Sequence, residues 1–96
     1  MSNTNYILIT KLCSVYEVEH SFFEELEEFG LIEMKQIEHQ YCVEEDRISE
    51  IEKILRIRTE LKLNTEGIDV VLNLLQKIDQ LQEELRVMKQ QLEVLR

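Results

Sequence analysis

The run from Thr65 to Arg96 constrains the fold more than any other stretch. It contains no proline, and its one glycine, Gly67, falls in the first turn. Written as heptads, Val71, Ile78, Leu85 and Leu92 take the first core position, and Leu74, Leu81, Met88 and Leu95 the second. An apolar residue at every core position over four heptads is the pattern of a coiled-coil seam. At about 1.5 Å per residue the helix spans about 48 Å, more than the body of so short a chain can cover. Each core side chain is worth about 1.5–3 kcal/mol when buried, so the seam is expected to be covered by self-association, most simply as a homodimer. The first half of the helix differs from the second. Val70, Leu72 and Leu75 widen its apolar face, as in a helix packed on several sides. The helix is therefore expected to serve as a core wall first and a dimer arm afterwards. Glu84 and Lys89 would meet across a parallel pair of arms, but surface pairs contribute only about 0–1 kcal/mol and leave the orientation open.

Ninety-six residues make one small body plus this arm, divided as 1–64 and 65–96. The apolar runs are too short for a membrane span, and the N-terminus lacks the pattern of a signal peptide. Two cysteines, Cys13 and Cys42, make no disulfide framework, so a reduced, cytoplasmic protein is expected. Charge is unevenly placed. Residues 1–45 carry two lysines against ten glutamates, a charge of −8, and residues 46–96 carry −1, which together give the total of −9. The N-terminal half should repel phosphate and attract basic protein surfaces.

Tyr6-Ile7-Leu8-Ile9 reads as a strand or an extended lead-in. Thr10 is the expected N-cap of a short helix to about Tyr16 that buries Leu12, Val15 and Cys13. After a turn at 17–20, Ser21 and Glu24 suggest a capping box for a second helix to about Phe29. In it Leu26, Phe29 and one of Phe22 and Phe23 face inward, while Glu24, Glu25, Glu27 and Glu28 face water. Gly30 suits the left-handed residue that ends a helix. Two short helices joined by a tight turn form a helix-turn-helix unit. Short apolar pieces between Leu31 and Val43 suggest a β-hairpin, although no Asn-Gly or Asp-Gly turn marks it. Asp46 is the expected cap of a helix to about Leu61 that buries Ile48, Ile51, Ile54, Leu55 and Ile57. Asn64 or Thr65 caps the long helix.

The segments FFEELEEFGLIE, YCVEEDRISEIEKILRIRTEL and LKLNTEGIDVVLNLL resemble the second helix, the wing with the third helix, and the following break of the MerR-like winged helix-turn-helix domain. They cover most of residues 6–78. The fold class is accordingly mainly α: a MerR-like winged helix-turn-helix with a small β-hairpin wing and a long C-terminal coiled-coil helix. The stretch LRIRTELKLNTEGIDVVLNLLQKIDQLQEELRVMKQQL is similar to the second half of the CbpM-like chaperone modulators. That resemblance implies binding to the J-domain of a CbpA-type, DnaJ-like co-chaperone and inhibition of its stimulation of a DnaK-type chaperone. In DNA-binding MerR proteins the second helix reads DNA through cations. Here it has four glutamates and neither lysine nor arginine, which opposes contact with phosphates. A MerR-type transcription regulator is the alternative, and a structural coiled-coil adaptor comes third.

The candidate partner contacts are Glu24, Glu25, Glu27 and Glu28, with Glu17, Glu19, Glu33 and Glu38 as weaker ones. Of Phe22 and Phe23, the one outside the core would be an exposed aromatic or a secondary packing contact. Tyr6 and Tyr41 are assigned to packing of the wing. His39 and Cys42, three apart, do not make the paired spacing of a metal site, and no cofactor is expected. The cysteines read as small buried hydrophobes. No carboxylate pairs with a histidine or a glycine-rich loop in a catalytic pattern, so an enzyme is not expected.

Overall fold

The computed structural model describes residues 5–95 of the chain. The elements are β1 (Tyr6–Leu8), α1 (Ile9–Tyr16), α2 (His20–Glu28), β2 (Lys35–Ile37), β3 (Gln40–Glu44), α3 (Ile48–Leu61) and α4 (Thr65–Val94). A 3-10 turn, Glu45–Arg47, leads into α3. This is the mainly α, helix-turn-helix and wing arrangement expected, with one addition. The N-terminal strand joins the hairpin to make an antiparallel sheet of order β1-β3-β2.

Sheet pairing decides where the first helix starts. Leu8 pairs with Cys42 and Ile7 with Val43, so the extended chain ends at Leu8 and Ile9 opens α1. Thr10 is therefore inside the first turn and caps nothing, contrary to the expectation from its cap preference. Ile9 then sets the inward face, with Leu12, Cys13 and Tyr16 at three, four and seven residues on. Val15 lies about 120° of helical turn away from Ile9 and is exposed, not buried. Glu17 adopts a left-handed conformation at φ 55° and ends α1. Val18 anchors the turn by packing on the core, and its N–H donates to the Cys13 carbonyl at 3.1 Å.

The second helix also begins earlier than its capping residues suggest. Glu19 is its N-cap, His20 its first residue, and Ser21 lies within the helix with its hydroxyl turned to Glu19. Phe22 and Phe23 are both buried, although adjacent positions point about 100° apart. The helix is covered on more than one side, by α1 and α4, while Arg58 of α3 lies over the Phe22 ring at 4.2 Å. The two phenylalanines meet edge to face at 5.9 Å. Phe29 stands beyond the last helical residue and is exposed, which corrects its expected inward position. Gly30 takes φ 73°, the left-handed conformation that ends the helix.

The core gathers Ile9, Leu12, Phe22, Phe23, Leu26, Val43, Ile51, Ile54, Leu55 and Ile68. Asp46, expected to cap α3, lies instead in the 3-10 turn, and no side chain caps that helix. The chain is still held to the sheet there, since the Glu45 N–H donates to the Asn5 carbonyl at 2.9 Å. At the next junction Asn64 accepts the Gly67 N–H at 2.9 Å and caps α4. Gly67 makes room for that cap: a Cβ there would stand 3.2 Å from Asn64 Oδ1 and 3.3 Å from Leu63.

The hairpin turns on Glu38 and His39, both in the left-handed region at φ 50° and 65°. Two consecutive positive φ values between paired strands make a type I′ turn, whose preferred sequence is Asn-Gly. Neither residue here is suited to that backbone, and both are exposed. Replacing them together, Glu38→Asn with His39→Gly, is expected to stabilise the protein by about 1 kcal/mol, or about 4–8 °C in Tm. Thermal unfolding checks this; an unchanged or lowered Tm would show that the turn carries no strain.

Candidate protein-interaction face

On α2, Leu26 marks the buried side. At about 100° per residue, Glu24 and Glu28 fall within about 20° of the opposite direction, and Glu25 and Glu27 flank the buried stripe. All four carboxylates are exposed, but the structure gives three of them partners of their own. Glu25 accepts the hydroxyl of Thr65 at 2.8 Å and so ties α2 to the first turn of α4. Thr65 is itself buried, and the carboxylate sits by the positive end of the α4 dipole. Glu27 accepts the Met34 N–H at 2.8 Å and holds the loop that enters the wing. Glu24 lies 3.0 Å from His20 Nδ1. Neither internal bond could be read from local spacing: the residues joined are 40 apart in one case and seven in the other.

The outward strip of α2 thus consists of Glu24 and Glu28, one turn apart. Its N-terminal end is framed by the wing, where the Tyr41 ring meets His20 edge to face at 6.3 Å. Tyr41 is exposed, not packed into the wing as its position in a strand pattern suggested. Tyr6 is also exposed, with Lys35 Nζ 5.7 Å from its ring centroid. Lys35 bonds Glu44 at 3.0 Å across β2 and β3. That ammonium holds the Glu44 carboxyl below its usual range, and Glu44 in turn raises Lys35.

Cys42 is buried, and burial pushes the Cys13 thiol up. Burial also raises Tyr16, helped by its hydrogen bond to Glu52 at 3.2 Å and by that residue's charge. Among the described residues no group of His, Cys, Asp and Glu is placed to hold a metal ion. Among them, too, no helix is long and apolar enough to cross a membrane.

The second candidate surface is the arm. α4 has 30 residues, about 45 Å, and buries only Thr65 and Ile68. Val71, Leu72 and Leu75 are half-buried near the body. From Leu74 onward the seam is open: Leu74, Ile78, Leu81, Leu85, Met88, Leu92 and Leu95 are all exposed, Leu81 by 63%.

A helix-turn-helix with a three-stranded wing, a third helix and a long terminal helix is the setting for the family comparison. The model of the family described as MerR HTH family regulatory protein matches residues 7–90. No curated protein matches the chain. The match runs from β1 through most of α4, and the chain belongs to the MerR HTH regulatory family.

Proposed function

We propose that this chain is a non-enzymatic chaperone modulator of the CbpM-like kind, a cytoplasmic homodimer that binds the J-domain of a CbpA-type, DnaJ-like co-chaperone. By occupying the chaperone-facing surface of that J-domain, it would inhibit stimulation of a DnaK-type chaperone. One observation carries the reading. The second helix of the helix-turn-helix presents Glu24 and Glu28 outward, and no lysine or arginine accompanies them on α2. The hydrogen bonds of Glu24, Glu25 and Glu27 go to an imidazole, a hydroxyl and an amide. They leave the negative potential of the face in place. Such a face suits a basic protein helix, where complementary charge speeds encounter and selects the partner. In this reading residues 1–64 form the binding body and 65–96 the dimer arm, with Ile68 of the arm seated in the core of the body.

The alternative, a MerR-type DNA-binding regulator, would bring this same helix to phosphates, which its four carboxylates oppose. Titration of the purified protein with an isolated J-domain tests the proposal. Glu24→Lys with Glu28→Lys is expected to weaken that binding roughly tenfold at low salt and to make it less salt-sensitive. Unaltered affinity would move the contact off α2. Absence of binding by the unmodified protein, with retention on heparin at moderate salt, would favour nucleic acid instead.

A further inference from the structure

We infer that Tyr41 is the aromatic anchor of this interaction face and receives an arginine side chain of the basic helix that pairs with Glu24 and Glu28. The inference rests on the reading of the acidic face above and names the partner chemistry at its wing end. Along β3, Tyr41 and Val43 point to the same side of the sheet, since they lie two apart. Val43 is buried against the helices, whereas Tyr41, nearer the hairpin turn, overhangs the start of α2 with 46% of its surface exposed. Its ring touches His20, and His20 touches Glu24, so ring, imidazole and carboxylate form one continuous strip.

The chain covers two of its other rings with cations of its own. Lys35 lies over Tyr6 and Arg58 over Phe22. Among the described residues the ring that meets Tyr41 is His20, at its edge, and no lysine or arginine lies over the tyrosine face. Phe29 is exposed too, but it stands about 100° around α2 from Glu28, on the side of Glu25 and α4, and so lies off the strip. A tyrosine with nearly half its surface exposed, on the strip that carries two carboxylates one helical turn apart, fits a helix with cations at the same spacing. Arginine suits the ring better than lysine, because a planar and weakly hydrated guanidinium stacks on it.

The probe is a synthetic helical peptide with arginines one turn apart, beside a copy with lysines at those positions. Tyr41→Leu is expected to weaken the arginine peptide about three- to tenfold, and Tyr41→Phe to stay within about twofold of the unmodified protein. The lysine peptide should show little difference between the unmodified protein and Tyr41→Leu. In the unmodified protein the Tyr41 ring resonances should shift on titration, a readout that needs no variant to fold. Unchanged affinity of Tyr41→Leu, alongside weakening by Glu24→Lys with Glu28→Lys, would overturn the anchor and leave the acidic face standing. Failure of the unmodified protein to bind the peptide would overturn the anchor, while the J-domain titration reports separately on the face.

Discussion

A chain carrying Leu81→Asp together with Met88→Asp is expected to sediment as a monomer while keeping the thermal transition of its body. Both side chains are more than three-fifths exposed in the single chain, Leu81 by 63% and Met88 by 61%, so the substitutions remove nothing from the core. In a dimer they would leave water, at about 1.5–3 kcal/mol each, and two copies contribute four such side chains. The loss, about 6–12 kcal/mol, matches the whole association energy of a dimer with a Kd near 1 μM, about 8 kcal/mol. Four carboxylates in an apolar seam add a desolvation cost in the same direction. The unmodified chain should sediment as a dimer. If the double variant does so as well, self-association uses another face and the heptad seam serves a different partner. The pairing of Glu84 with Lys89 is too weak to choose between parallel and antiparallel arms, since either direction buries the same stripe.

The arm was legible because its signal is long. Eight seam positions agree on one period, and of the two caps the sequence left open, Asn64 and Thr65, the structure uses Asn64. The helix-turn-helix was legible from its two short apolar clusters, and Gly30 from the backbone it must adopt. Helix starts were not. Thr10, Ser21 and Asp46 are good caps by local chemistry, and none of them caps. A cap is worth about 1 kcal/mol, and pairing of β1 with β3 and packing of the helices outweigh it. With Ile9 helical, the buried face of α1 is the stripe of Ile9, Leu12, Cys13 and Tyr16, and Val15 is left in water. The hairpin lacked its usual signal because its turn is built from Glu38 and His39, which tolerate positive φ poorly.

On the candidate face, the sequence pointed to four glutamates of equal standing. Folding separates them. Glu25 and Glu27 serve α4 and the wing loop, whereas Glu24 and Glu28 point away from the core. Thr65 sits 40 residues from Glu25, and Met34 belongs to a loop with no helical or strand period, so neither bond has a local signature. Tyr41 looked like a packing residue because strand alternation places it on the core side. Its height along the hairpin, set by the turn, carries it past the core, and no alternation pattern encodes that.

Phe23→Ala is expected to cost about 3–5 kcal/mol, the range for emptying a buried phenylalanine site. Phe23 is 0% exposed and lies in the cluster that joins Ile9 and Leu12 of α1 to Ile51 of α3 and Ile68 of α4. Four helices therefore lose a shared contact, and rearrangement of one leaves the others unfilled. For a body this small, total stability near the lower end of about 5–15 kcal/mol makes such a loss decisive. The expected Tm falls by about 12 °C or more, or the cooperative transition disappears. Val15→Ala is the matched control: its side chain is 61% exposed, and a change within about 0.5 kcal/mol is expected. The arm gives the experiment a second readout. If α4 is held by its seam, much of the far-UV helical signal should survive in Phe23→Ala at high protein concentration, with the body unfolded around it. A Phe23→Ala protein that unfolds within a few degrees of the unmodified chain would show that α2 does not pack through this ring. The positions of Glu24 and Glu28 relative to the core, and with them the acidic face, would then have to be redrawn.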